Sequence, residues 1–196
     1  MTSLADRVLG SPRLYDRVQR AFGIDQLRRE IASVITRLEP GRLLDVGAGT
    51  AIFYPIVPPD FEYIALDVDD RKLARIGEKF PEVRTVRGSG TELPFADQAV
   101  DYTLCINVAH HLNDDELEPL VSELARVSRR KLVFVDPLRA PRVASNLLWA
   151  LDRGSHPRQA DALRWALERH FVLEEFATFT IYHAYVMAVA APGSGR

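Results

Sequence analysis

Cysteine is nearly missing from this 196-residue chain, which holds only Cys105. A single thiol excludes an internal disulfide framework and a cysteine-based metal cluster, so a reducing compartment is compatible. It sits in the apolar run "YTLCINV", where it reads as a small buried hydrophobe. Long apolar stretches are missing too, and nothing approaches the roughly 20 residues of a membrane span. The opening "MTSLADRVLG" carries acid and has no apolar signal-peptide region. Nor is there an excess of one charge. The formal net charge is −2 and the arginines are scattered, which leaves no electrostatic footprint for nucleic acid. We therefore expect a cytoplasmic protein with no metal site, no nucleic-acid partner and no stable membrane insertion.

What is present is an alternation of apolar runs and helical patterns. Residues 4–38 read as helical, and Leu27, Ile31, Val34, Ile35 and Leu38 recur along one helix face. Pro40-Gly41 ends that pattern. Strands are expected at 42–47, 62–68, 83–88, 100–108 and 131–137, and two closing strands, "FVLEEFATFTIY" and "HAYVMAVAA", suggest a hairpin. The run 100–108 is almost wholly apolar, as in a central strand covered on both faces. A helix covers 69–80, and another follows Asn113, with Glu116 placed to complete a capping box. Pro55, Pro58 and Pro59 leave room for only a short helix after the first strand. The alternation implies a doubly wound, mostly parallel sheet in one domain spanning 1–196. Within it we distinguish N-terminal helices (1–40), a core (41–137) and a closing segment (138–196).

Ligands of such sheets bind beyond the carboxyl ends of the strands. "LLDVGAGT" places Asp45, Gly47, Ala48, Gly49 and Thr50 there, with glycines that let a ligand lie against the main chain. The second strand ends in "ALDVDD", which puts Asp67 twenty positions after Gly47. A carboxylate at that place can accept hydrogen bonds from both ribose hydroxyls. The competing reading makes Asp67 the N-cap of the next helix, a task Asp69 could perform. A nicotinamide dinucleotide would need a third glycine where Ile52 stands, and an unbroken helix to hold its pyrophosphate. A ligand with a ribose, an ammonium and no phosphate fits better, which describes S-adenosylmethionine.

"LLDVGAGT", "ALDVD", "GSGTELPF", "VDYTLCINVAHHL" and "KLVFVDP" resemble, in order, the motifs of class I S-adenosylmethionine-dependent methyltransferases, particularly the small-molecule, type 11-like branch. The resemblance implies a Rossmann-like three-layer sandwich. Its seven-stranded sheet would have the order 3-2-1-4-5-7-6, with strand 7 antiparallel, under an N-terminal helical lid. It also implies that Asp45, Gly47 and Gly49 line the methionine moiety and that Asp67 holds the ribose. Val68 would lie against the adenine, Ser89 and Gly90 would border the adenine edge, and Asn107 would sit near the methyl group. Tyr15 would close over the cofactor. Two departures stand out: Ala51 replaces a usual glycine, adding a methyl that either weakens cofactor binding slightly or is absorbed by the turn, and Ser89 replaces a common aspartate.

On the acceptor side, His110 and His111 follow the fourth strand and are candidate bases, or else ring packing for the turn. Asp136 either faces the substrate or caps a turn before Pro137. "LDRGSHPRQ" offers Arg153 and His156 as substrate-side groups, beside Asp152 and Arg158, or else is a solvated loop. The expected activity is methyl transfer from S-adenosylmethionine to oxygen, nitrogen or carbon of a small molecule. The alternatives are a binding-only or non-methylating use of the cofactor, and a nicotinamide-dependent oxidoreductase.

Overall fold

The computed structural model describes residues 23–139, 156–181 and 184–193. Strands β1 (Arg42–Val46), β2 (Glu62–Asp67), β3 (Arg84–Arg87), β4 (Val100–Ile106), β5 (Ser128–Pro137), β6 (Phe171–Thr180) and β7 (Ala184–Pro192) make one sheet of order β3-β2-β1-β4-β5-β7-β6. The first five pair in parallel, and β7 runs antiparallel to both β5 and β6. Helices α1 (Ile24–Ile35), α2 (Asp70–Lys79), α3 (Asp114–Val127) and α4 (Ala160–Glu168) cover its two faces. This is the Rossmann-like arrangement that the motifs imply.

Side chains alternate across a strand, so each strand feeds two cores. Leu43, Tyr63, Ala65, Leu104, Ile106, Val133 and Val135 pack with the apolar stripe of α1 and with Leu73 and Ile76 of α2. Leu44, Val46, Ile64, Leu66, Cys105, Leu132 and Phe134 pack with α3 and α4. Every residue of β4 is buried, which explains why, Asp101 and Thr103 apart, the strand is apolar. Helix α3 starts as its sequence demands: Asn113 Oδ1 accepts from the N–H groups of Asp115 and Glu116, and Glu116 returns a bond to the Asn113 N–H.

Several boundaries differ from expectation. Of the helix expected over 4–38, Ile24–Ile35 is described; residues 1–22 lie outside the described residues, and Leu38 lies past the helix end, partly buried. Strand β2 stops at Asp67, and β4 stops at Ile106 because Asn107 turns into the left-handed region at φ 57°. Strand β5 begins at Ser128, three residues early, since Arg129 and Arg130 are anchored by Asp101. After β1 the prolines permit only a 3₁₀ turn, Tyr54–Ile56.

Candidate active site

Parallel register brings the carboxyl ends of β1, β2 and β4 level with one another: Val46 lies beside Leu66 and Cys105. The chain then turns sharply. Gly47 and Ala48 both donate their N–H groups to the Leu66 carbonyl. Gly47 has φ 74° and Gly49 φ 60°, where a side chain is strained. A Cβ on Gly47 would also fall 2.5 Å from the Val108 side chain, while one on Gly49 would point into open space. Ala51 takes the same left-handed conformation at φ 53°, yet is fully buried in the core facing α1 and α2. Its extra methyl is therefore absorbed by packing and does not project at the rim.

Asp67 is 4% exposed and uses both carboxylate oxygens. Oδ2 accepts from Gly49 N–H and Oδ1 from Asp69 N–H, each at 2.9 Å, and Lys72 Nζ stands 3.5 Å away. Asp69, not Asp67, caps α2, accepting from the Arg71 N–H. Val68, the next residue, is 63% exposed at the rim. Ser89 and Gly90 follow β3 and are half-buried. The Ser89 hydroxyl is engaged with the Thr91 hydroxyl and N–H, so it closes its own turn. Asn107 carries the one buried side-chain polar atom without a partner among the described residues, its Oδ1.

Asp45 is buried and accepts a hydrogen bond from the Tyr63 hydroxyl. Burial pushes its carboxyl from an ordinary 3.8 up to about 7, the Tyr63 bond opposes that, and the charge of Asp67 adds to it. Tyr63 is a functional candidate that the sequence reading passed over. A tyrosine in a buried aliphatic strand has to find a partner for its hydroxyl. That was the available signal.

The acceptor-side candidates lie on the other face of the sheet. His110 and His111 form a 3₁₀ turn, Ala109–His111, after β4. His110 is buried, its Nδ1 3.0 Å from Asp136 Oδ1, and its ring centroid lies 4.1 Å from that of the exposed His111, the two rings tilted by 41°. Asp136 does not cap a turn: β5 continues through Pro137, which pairs with Tyr185. Burial raises the Asp136 carboxyl, with His110 pulling it down. His156 is exposed, and its N–H donates to the His110 carbonyl. Arg158 donates to the carbonyls of Ala109 and Leu112 and pairs with Asp114, so it fixes the histidine turn. Tyr15, Asp152 and Arg153 lie outside the described residues. Among the described residues no group of His, Cys, Asp and Glu could hold a metal, and no helix is long and apolar enough to cross a membrane.

Residues 44–135 match the methyltransferase domain family. Over 102 residues the chain is 37% identical to an uncharacterised methyltransferase of Mycobacterium sp. (strain KMS), covering 48% of this chain and 38% of that protein. Over this region the chain is similar to class I S-adenosylmethionine-dependent methyltransferases. Its match spans about two fifths of the length of that relative.

Solved structures share the fold. The magnesium protoporphyrin IX methyltransferase of Synechocystis PCC 6803, solved with S-adenosylhomocysteine bound, superposes with a TM-score of 0.72 at 16% identity, over 90% of this chain and 87% of that one. The [4+2]-cyclase SpnF superposes with a TM-score of 0.71 at 16% identity, over 87% of this chain and 82% of that one. The residues at the rim are compatible with S-adenosylmethionine, the cofactor of the similar proteins. Two buried carboxylates and an unpartnered amide oxygen call for a ligand rich in donors, and an amino group and ribose hydroxyls are donors.

Proposed function

We propose that this chain binds S-adenosylmethionine and transfers its methyl group to a small-molecule acceptor. The observation that carries the reading is the set of oxygens at the rim. Asp45, Asp67 and the orphan Asn107 Oδ1 present acceptors, and two of the three are acids. Such a site would repel a pyrophosphate and complements an ammonium with two hydroxyls. The single 3₁₀ turn after β1 supplies no helix N-terminus for a dinucleotide phosphate, which speaks against the oxidoreductase alternative.

The bound cofactor would supply an electrophilic methyl group on a sulfonium. Asp67 would hold the ribose, and its bond to the Gly49 N–H would keep the glycine turn at the right height. Asp45 and Asn107 would take the amino acid end, while Val68 would give the adenine an apolar wall. The balanced charge of the chain supports an acceptor other than nucleic acid.

Calorimetry tests the cofactor: S-adenosylmethionine and S-adenosylhomocysteine should bind, and NAD and NADP should not. Transfer of labelled methyl to a fractionated metabolite extract tests the reaction. A cyclase on this fold supports a second reading, in which the cofactor is held and no methyl leaves it. Binding without label transfer to any fraction would favour that one.

A further inference from the structure

The hydroxyl of Tyr63 reaches the site from below. Leu43 lies opposite Tyr63 in the parallel register and Asp45 lies opposite Ala65, so Asp45 stands two residues nearer the carboxyl edge. Tyr63, Ala65 and Asp67 share one face of β2, and Leu43 and Asp45 share that face of β1. The phenol leans along the strand and donates to Asp45 Oδ2. This is the one hydrogen bond the Asp45 carboxylate makes among the described residues, which leaves Oδ1 for a donor. The Tyr63 ring is itself held, 5.0 Å from that of Tyr54, whose hydroxyl is tied to Glu82.

We infer that Tyr63 is a positioning residue for cofactor binding: it fixes the Asp45 carboxylate by one oxygen so that the other meets the cofactor's ammonium. This rests on the cofactor reading proposed above. The groups that face Asp45 sharpen the consequence. Asp67 at the end of β2 adds negative charge, the Cys105 thiol, on the opposite face of β4, is pushed well up by its burial, and no lysine or arginine bonds Asp45 among the described residues. Tyr63 is thus the group that lowers the proton affinity of this carboxylate, against both burial and Asp67. Without its hydroxyl, Asp45 would stay protonated to higher pH and would offer the ammonium a neutral acid.

Two ligands separate this from a structural role. S-adenosylhomocysteine carries the ammonium; 5′-methylthioadenosine keeps the adenosine and sulfur but lacks it. In Tyr63→Phe, affinity for the first should fall roughly tenfold, the size of one lost hydrogen bond. Affinity for the second should be unchanged, and the pH below which S-adenosylhomocysteine binds weakly should move upward. Equal losses for both ligands, or an unmoved pH profile, would overturn the inference. The wild-type protein gives a second measurement: near neutral pH, binding of S-adenosylhomocysteine should release protons and binding of methylthioadenosine should not. Equal proton release would also overturn it. If the wild type binds neither ligand, the cofactor reading itself fails, and the inference with it.

Discussion

Asp67 Oδ2 accepts the N–H of Gly49 at 2.9 Å, across eighteen residues of sequence. The carboxylate proposed to hold the ribose is therefore also the group that ties the glycine turn to the end of β2. Replacing it should cost on two counts. Asp67→Ala strands the N–H groups of Gly49 and Asp69, and we expect a stability loss of about 1–3 kcal/mol by urea titration. S-adenosylhomocysteine affinity should fall by roughly tenfold to several hundredfold, from lost charge-assisted bonds. A folded variant with wild-type affinity would move the ribose elsewhere.

Asn107 carries the opposite balance. It sits at φ 57° and keeps a buried carbonyl oxygen unpaired, two costs that a structural role does not repay. Glycine accepts that φ without strain and removes the orphan atom, at an entropic cost of about 0.5–1 kcal/mol. Asn107→Gly should therefore raise stability by about 1 kcal/mol while weakening S-adenosylhomocysteine binding at least several-fold. Thermal melts with and without ligand read both quantities: the free protein should melt higher, and the ligand-induced rise should shrink.

Asp45 makes stability depend on pH. Its carboxyl stands near 7 in the folded protein against an unfolded value of about 3.9, so between those values the native state binds more protons than the unfolded one. Stability falls as pH rises through that window, and the full cost, on the order of 4 kcal/mol, is carried above pH 7. Asp45→Asn keeps an acceptor for Tyr63 and removes the ionisation. Denaturant midpoints should then be higher for the variant at pH 8 and converge with the wild type near pH 4, while affinity for S-adenosylhomocysteine falls. A variant no more stable than wild type at pH 8 would contradict the assignment.

Much of this was legible in the chain. The β-strand period, the capping box at Asn113 and the spacing of Gly47 from Asp67 are local signals, and local sequence states them. The diagonal pair of Tyr63 and Asp45 depends on which strands are neighbours and in what register, which no single segment contains. Arg158 fails to read from sequence for a related reason. It stands in a turn-prone, charged segment that suggested a solvated loop or a substrate cover. Its side chain instead has only 9% exposure, and its guanidinium donates to the carbonyls of Ala109 and Leu112, 49 and 46 residues away. Charge in a loop says little about burial until the carbonyls it must satisfy are known.

The acceptor side yields the last prediction, because the structure gives its two histidines different surroundings. His110 is buried against Asp136, and breaking a buried pair from one side leaves the other charge or dipole uncompensated. His110→Ala should cost about 3 kcal/mol of stability, and Asp136→Ala added to it should recover part of that loss, since neither partner is then stranded. Turnover in His110→Ala therefore reports on folding as much as on chemistry. His111 is exposed and only its ring touches His110, so its substitution can be read more directly. If His111 removes a proton from the acceptor, His111→Gln should lower turnover by roughly 10²–10⁴-fold with S-adenosylhomocysteine affinity retained. The limb of the pH–rate profile near the imidazole pKa of about 6.5 should vanish with it. We expect that outcome for an acceptor methylated at a hydroxyl. Unchanged turnover, with the limb still present, would remove the base from the reaction and leave an acceptor atom that attacks without losing a proton first, the methyltransferase reading standing.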